Sequence, residues 1–147
     1  MATDNVRVWN ADEIVISIGP VILESGFGED EFIRLEQETD DTEDVVGVDG
    51  EVTVSRTNDR RATLTFTLQQ TSSGNDGLSA LSNLTRSAPG MVGAIQPFII
   101  KDLNGRSLYT AQNAWVAAPP PVSFARTGQP REWKIRIANL VRTDGGN

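Results

Sequence analysis

The chain has 147 residues, the length of one ordinary domain able to bury about two-thirds of its unfolded surface. It contains no cysteine and no histidine, which excludes disulfides, thiolate or imidazole metal ligands, and Ser-His-Asp or Cys-His catalysis. The net charge of −7 is unevenly placed: residues 1–51 hold fifteen acids and two arginines, the remainder five acids and eleven bases, a polarity that favours head-to-tail contact between copies. No 18-residue apolar run is present and the start MATDNVRVWNADE has no signal-peptide pattern, so a soluble protein made in the cytoplasm is expected.

Strand patterns dominate. Residues 13–19 and 20–24 read as two short strands, or one bent strand, across the Gly19-Pro20 break, because proline cannot continue a central ladder. Phe32-Ile-Arg-Leu-Glu36 is apolar enough to pair, whereas Gln37 to Asp44 has no apolar period and repels itself; a mobile loop over about 36–44 is predicted. Residues 51–56 and 61–69, joined by Thr57-Asn-Asp-Arg60, read as a hairpin. Its second arm alternates Ala62, Leu64, Phe66 and Leu68 with Thr63, Thr65, Thr67 and Gln69, the period of a sheet with one dry and one wet face. Val52 and Val54 are expected on the dry face and Thr53 and Ser55 on the wet one.

A helix is predicted over about 74–86, capped by Ser72 or Ser73 and striped by Leu78, Leu81 and Leu84, with Ser87-Ala-Pro-Gly90 as its stop. Strands resume at 95–101, where Pro97 indicates an edge or a bulge, and Asp102-Leu-Asn-Gly105 turns into 106–110. Ala114-Trp-Val-Ala117 runs into three prolines, and Trp133 to Val141 forms a last long strand. The fold class is mainly β, an antiparallel barrel or sandwich with one flanking α-helix and a long early loop, all in a single domain over 1–147.

Few residues suggest chemistry. Asp40, Asp44 and Glu51 fall at positions 1, 5 and 12 of a calcium loop, but Val45 stands where that loop needs glycine and no helices flank it. The acidic run offers paired carboxylates without the rigid aromatic cleft of a glycosidase. Trp9, Trp115 and Trp133 fit a sugar-stacking platform or, more simply, core and interface positions. Arg56, Arg60 and Arg61 cluster at a turn, and an acidic chain with Lys101 and Lys134 as its lysines is a poor nucleic-acid binder. Arginine tips opposite an acidic loop suit a protein–protein boundary better. No catalytic, cofactor or metal residue is assigned, and no cofactor is expected.

The segment GEVTVSRTNDRRATLTFTLQQTSSGNDGLSALSNL, residues 50–84, resembles the inner tail tube proteins of contractile-tailed bacteriophages. The order is similar: a Gly-Glu entry, Thr-alternating strands, an Asn-Asp cap and a short Leu-striped helix. Gln96-Pro-Phe-Ile-Ile-Lys-Asp102 and the closing Trp133 strand extend the likeness to about two-thirds of the chain.

The resemblance implies a structural virion protein, not an enzyme, that forms hexameric rings stacked into a hollow tube for DNA ejection. It would be assembled in the host bacterial cytoplasm, sheathed by a tail sheath protein, with tape measure protein and passing DNA in the lumen and no membrane partner. A long loop between early strands would bridge rings, here residues 24–50. Thr53, Ser55, Thr63, Thr65, Thr67 and Gln69 are the candidate lumen residues. Phe27, Phe32, Asp40, Asp41, Glu43, Asp44, Arg56, Arg60 and Arg61 are the candidate inter-subunit residues. The alternatives are the tube of a tailocin or type VI secretion-like machine and, in another class, a small carbohydrate-binding β-sandwich.

Overall fold

The computed structural model describes residues 9–28, 31–103 and 105–146. A 3-10 turn at Ala11–Glu13 leads into β1 (Ile14–Ile18), β2 (Val21–Leu23), β3 (Ile33–Gln37), β4 (Thr42–Val46), β5 (Val52–Arg56) and β6 (Ala62–Leu68). Helix α1 (Gly74–Ser87) follows, then β7 (Gln96–Asp102), β8 (Leu108–Ala118), β9 (Arg131–Ala138) and β10 (Val141–Thr143). One antiparallel sheet takes the order β2-β1-β7-β8-β9-β6-β3, with β10 also on β8, while β4 and β5 form a separate two-stranded ribbon.

Alternation in β6 decides which side of the sheet is dry. Ala62, Leu64, Phe66 and Leu68 are buried, and the threonines between them are half-buried on the opposite face. Register carries this inner row across the sheet: Leu64 lies opposite Leu35 and Ile135, and Phe66 opposite Ile33 and Trp133. Ile16, Ile18, Phe98, Ile100 and Val116 extend the same core. The sheet curls until residues of β1 and β3 face each other across a cleft of about 520 Å³, with Ile14, Ile100 and Tyr109 opposite Phe32, Ile33 and Leu35.

Helix α1 packs on β8 and β2 and buries Leu78 and Leu81, with Leu84 at the margin of the stripe. Gly74 and Gly77 permit the close approach, since a Cβ there would run into Leu23 and Val21. The Ser72 Oγ accepts the Gly74 N–H at 3.3 Å. Asn75 is buried and holds this corner together: its Nδ2 donates to the carbonyls of Gln69 and Ser72 at 3.0 and 3.1 Å, and its Oδ1 accepts the Trp133 Nε1–H at 2.9 Å. Asn75→Ala is expected to cost about 1–3 kcal/mol, because it strands the buried indole N–H. Urea denaturation followed by Trp133 fluorescence checks this, and an unchanged midpoint would contradict it.

Several expectations need correction. Residues 51–56 and 61–69 do not pair: β5 pairs with β4, and β6 with β3 and β9. Mutual charge repulsion in the acidic run does not prevent β4, because backbone pairing with β5 spreads the carboxylates along an exposed ribbon. The stretch assigned as a loop over 24–50 therefore contains β3 and β4, and the mobile segment 36–44 begins inside β3 and ends inside β4. Val52 and Val54 are exposed on the ribbon rather than packed in the core. The expected strand pieces 106–110 and 114–117 merge into one strand, β8, which begins at Leu108. The closing strand breaks at Asn139, whose φ of 52° interrupts β9 before β10; β10 nevertheless keeps the same register on β8. Of the two places expected for Pro97, an edge or a bulge, the structure has the bulge, between β7 and β8. Asn104 of the expected Asn-Gly turn lies outside the described residues.

The registers give the strands two poles. Gln37, Ala62 and Ile137 align at one, from which the β4–β5 ribbon emerges. Leu68 and Arg131 align at the other, beside α1 and the connection between β8 and β9. Seven residues of β6 separate the poles by about 20 Å.

Candidate assembly surfaces

The ribbon is the first surface. All residues of β4 and β5 are exposed, and the two strands pair with each other apart from the large sheet. Its register puts Asp44, Val46, Val52 and Val54 on one face, and Glu43, Val45, Thr53 and Ser55 on the other. Val48 at the tip is fully exposed. A two-stranded ribbon with valines in water is at best marginally stable, and exposed apolar residues grouped in this way mark an interaction site.

The outer face of β3, β6 and β9 is a second surface, and it is polar. Thr63, Thr65 and Thr67 run down its centre, with Lys134 and Arg136 opposite them on β9 and Arg34 and Glu36 on β3. Its charges are largely mutual: Arg136 meets Glu38 at 3.1 Å, Arg34 pairs with Glu36, and the Thr63 hydroxyl donates to Glu38. Gln69 is exposed just past the end of β6. Thr53 and Ser55, expected on the same wet face, lie on the ribbon instead, because β5 is not a neighbour of β6.

A third surface is the outer face of β2, β1, β7 and β8, where Ile22, Ser17, Ile99, Thr110 and then Val141 of β10 form one cross-strand row. Ile22, Ile99 and Val141 in that row are exposed. Sequence reasoning missed it, since isolated exposed isoleucines look like core residues until pairing shows them side by side.

The predicted inter-subunit residues divide among these places. Asp40 and Asp41 lie at the base of the ribbon, Glu43 and Asp44 on β4, and Arg56 closes β5 opposite Thr42. Arg60 lies at the same pole, its carbonyl accepting the Leu140 N–H at 3.1 Å. Arg61 is engaged within the chain by Asp59, through Nε and a terminal nitrogen at 2.9 Å each. That bidentate bond from Arg61 pulls the Asp59 carboxyl down to about 2. Phe27 and Phe32 belong to the body of the fold, their rings in tilted contact with centres 5.1 Å apart, and Phe27 bridges to Leu68. The tryptophans form no common platform: Trp133 is buried, Trp115 half-buried on β8, and Trp9 59% exposed beside the cleft.

The C-terminal segment is clipped at the ribbon pole. Tyr109 donates to Asp144 Oδ1 at 2.6 Å, and Arg142 reaches both oxygens at 3.0 and 3.2 Å. The Tyr109 bond first and Arg142 second hold the Asp144 carboxyl below its ordinary range, while burial and that same bond push the Tyr109 phenol up. A depressed carboxylate contributes stability above its unfolded pKa of about 3.9 and loses it as pH falls through the folded value. Protection factors of amides in 107–110 and 141–146 are therefore expected to drop as pH falls below about 4, with Tyr109→Phe lowering them already at neutral pH. Equal protection at neutral pH and in strong acid would contradict the assignment.

Among the described residues no helix is long and apolar enough to cross a membrane. Comparison with known proteins agrees with the surfaces in pointing to assembly. The chain is 34% identical over 123 residues to a protein named structural protein ORF10 of Pseudomonas phage KPP10, covering 84% of this chain and 70% of that one. Its fold is similar to a chain of the virion of a native gene transfer agent particle, with a TM-score of 0.63 and 11% identity over 93% of this chain and all of the other. It is also similar to a chain of the sheath–tube complex of an extracellular contractile injection system, PVC, with a TM-score of 0.56 and 11% identity over 91% and 90%. The family described as bacteriophage PhiTE tail tube protein matches residues 13–144, and the chain belongs to that family of structural tail tube proteins.

Proposed function

We propose that this tail tube subunit closes into hexameric rings that stack into a hollow conduit for DNA ejection, surrounded by a sheath. The observation that carries this reading, beside family membership, is the β4–β5 ribbon, which leaves its valines exposed on the single chain. In a ring, the short edges β2 and β3 of the large sheet meet neighbouring copies, which removes open edges that would otherwise invite uncontrolled pairing. The apolar row through Ile22, Ile99 and Val141 is covered in the same assembly, and stacking through unlike surfaces extends it along one axis.

The face bearing Thr63, Thr65, Thr67 and Gln69 suits the lumen. Hydroxyls beside Arg34 and Arg136, each paired with a carboxylate, leave Lys134 as the cation of this face without an ion pair among the described residues, so DNA passes with little adhesion. Thr53 and Ser55 are reassigned to the contact between copies, together with Asp40, Asp41, Glu43, Asp44 and Arg56; Arg60 and Arg61 frame the base of that contact, whereas Phe27 and Phe32 sit at the opposite, Leu68 pole of the subunit. The sheath partner is favoured by the likeness to a subunit of a sheath–tube complex, and the tape measure protein is the expected occupant of the lumen before DNA. The same geometry serves an injection machine that carries no DNA, and packaging of the protein in DNA-filled particles separates the two.

Size-exclusion chromatography with light scattering and negative-stain microscopy tests the reading. Rings or tubes should appear as concentration rises, and salt should shift the onset because opposed charges contribute. A monomer at every concentration would overturn it.

A further inference from the structure

The ribbon needs an acceptor, and the opposite pole offers one. The connection between β8 and β9, residues 119–130, is irregular and stiffened by Pro119, Pro120 and Pro121. Its far end is tied to the body, because Gln70 Oε1 accepts the Gln129 N–H at 2.9 Å. Between these anchors Val122 and Phe124 project into solvent, Phe124 at 79% exposure. From 119 to 131 the sequence carries Arg126 and Arg131 and no acid. The first arm and tip of the ribbon, residues 40–51, are the inverse: Asp40, Asp41, Glu43, Asp44, Asp49 and Glu51 without a base, around Val45, Val46 and Val48, with Arg56 at the foot of β5 as the ribbon's basic residue. Each surface pairs apolar residues with charge, and the charges are opposite.

Register places the two surfaces apart in one chain. The ribbon leaves from the Ala62 end of β6, and the β8–β9 connection lies at the Leu68 end, about 20 Å away. They cannot satisfy one another within a subunit, but they meet when a second copy stacks in the same orientation. Building on the tube reading above, we propose that the 119–131 connection is the docking surface for the β4–β5 ribbon of a second copy of this chain in the next ring. Val46, Val48, Val52 and Val54 of the ribbon cover Val122 and Phe124, and Arg126 and Arg131 face the ribbon carboxylates. Such a contact is heterologous and never closes along the axis, so it adds copies without limit.

The chain has no native cysteine, so Val48→Cys combined with Phe124→Cys supplies its only two thiols, both at exposed positions. With a short bis-maleimide in assembly conditions, a ladder of dimers, trimers and longer chains is expected, and each single variant should stop at the dimer or remain a monomer. Tubes visible by microscopy without that ladder, while both thiols still react with N-ethylmaleimide, would overturn the acceptor and leave the tube reading intact. A ladder without rings or tubes would support the contact and remove the tube reading; neither ladder nor assembly would remove both. As a second arm, Asp44→Arg should raise the protein concentration needed for assembly about tenfold, and adding Arg126→Glu should recover most of that loss. Failure of the second change to rescue the first would overturn the charge pairing.

Discussion

Phe66→Ala is expected to cost about 3–5 kcal/mol of folding stability, enough to unfold a large share of a marginal domain at room temperature. Phe66 is 1% exposed and sits between Ile33 and Trp133 in register, so its ring fills the centre of the sheet's inner face. Removing it leaves a cavity whose walls are held by pairing on both sides, which limits collapse. Leu64→Ala, one inner position earlier, should cost about 2–5 kcal/mol for the same reason. Thr65→Ser, on the opposite face, should stay within about 0.5 kcal/mol. Denaturant unfolding of the subunit checks all three, and equal sensitivity on the two faces would contradict the inward orientation of this row.

That contrast also marks how far the sequence could be read. Period-two alternation in 62–68 and the leucine stripe of 78–84 are local signals, each produced by residues a few positions apart, and both elements occur where the pattern puts them. Partner choice is not local. Val52 and Val54 alternate with polar residues as regularly as Leu64 and Phe66 do on β6, yet nothing in that alternation says whether β5 pairs forward with β6 or backward with β4. Gly47 to Gly50, which turns the ribbon through the Gly50 N–H to Gly47 carbonyl bond at 3.0 Å, is the available signal for the backward pairing. The acidic run conceals it, because charge density reads as disorder when the pairing that spreads the charges is unknown. The Asn75–Trp133 bond and the Tyr109–Asp144–Arg142 clip join residues 58, 35 and 2 positions apart, and the two longer links become visible only once the fold has brought them together. The assembly surfaces are legible as composition, acid early and base late, but their positions at opposite poles follow from strand direction.

Excising the ribbon should abolish stacking while leaving the subunit folded. The cut is defined by the backbone: the Thr57 N–H donates to the Asp41 carbonyl at 2.8 Å, so the chain enters and leaves the ribbon side by side. Replacing residues 42–56 with Asn-Gly, a pair suited to a two-residue reversal, removes both strands and spares Gln37 and Ala62, which pair at the edge of the large sheet. A linker over 36–44 would instead destroy the end of β3. Because the ribbon's residues are exposed on the single chain, the excised subunit should unfold within about 1 kcal/mol of the intact one. Its assembly should fall by about a hundredfold or more in concentration, which corresponds to about 3 kcal/mol per contact. Circular dichroism and denaturation measure the first quantity, and light scattering against concentration measures the second. In the intact protein, amides of 42–46 and 52–56 should exchange fast in the monomer and slowly in the tube. Tubes of normal length from the excised variant would show that stacking rests on other surfaces, and the apolar row through Ile22, Ile99 and Val141 would then be the one to alter next.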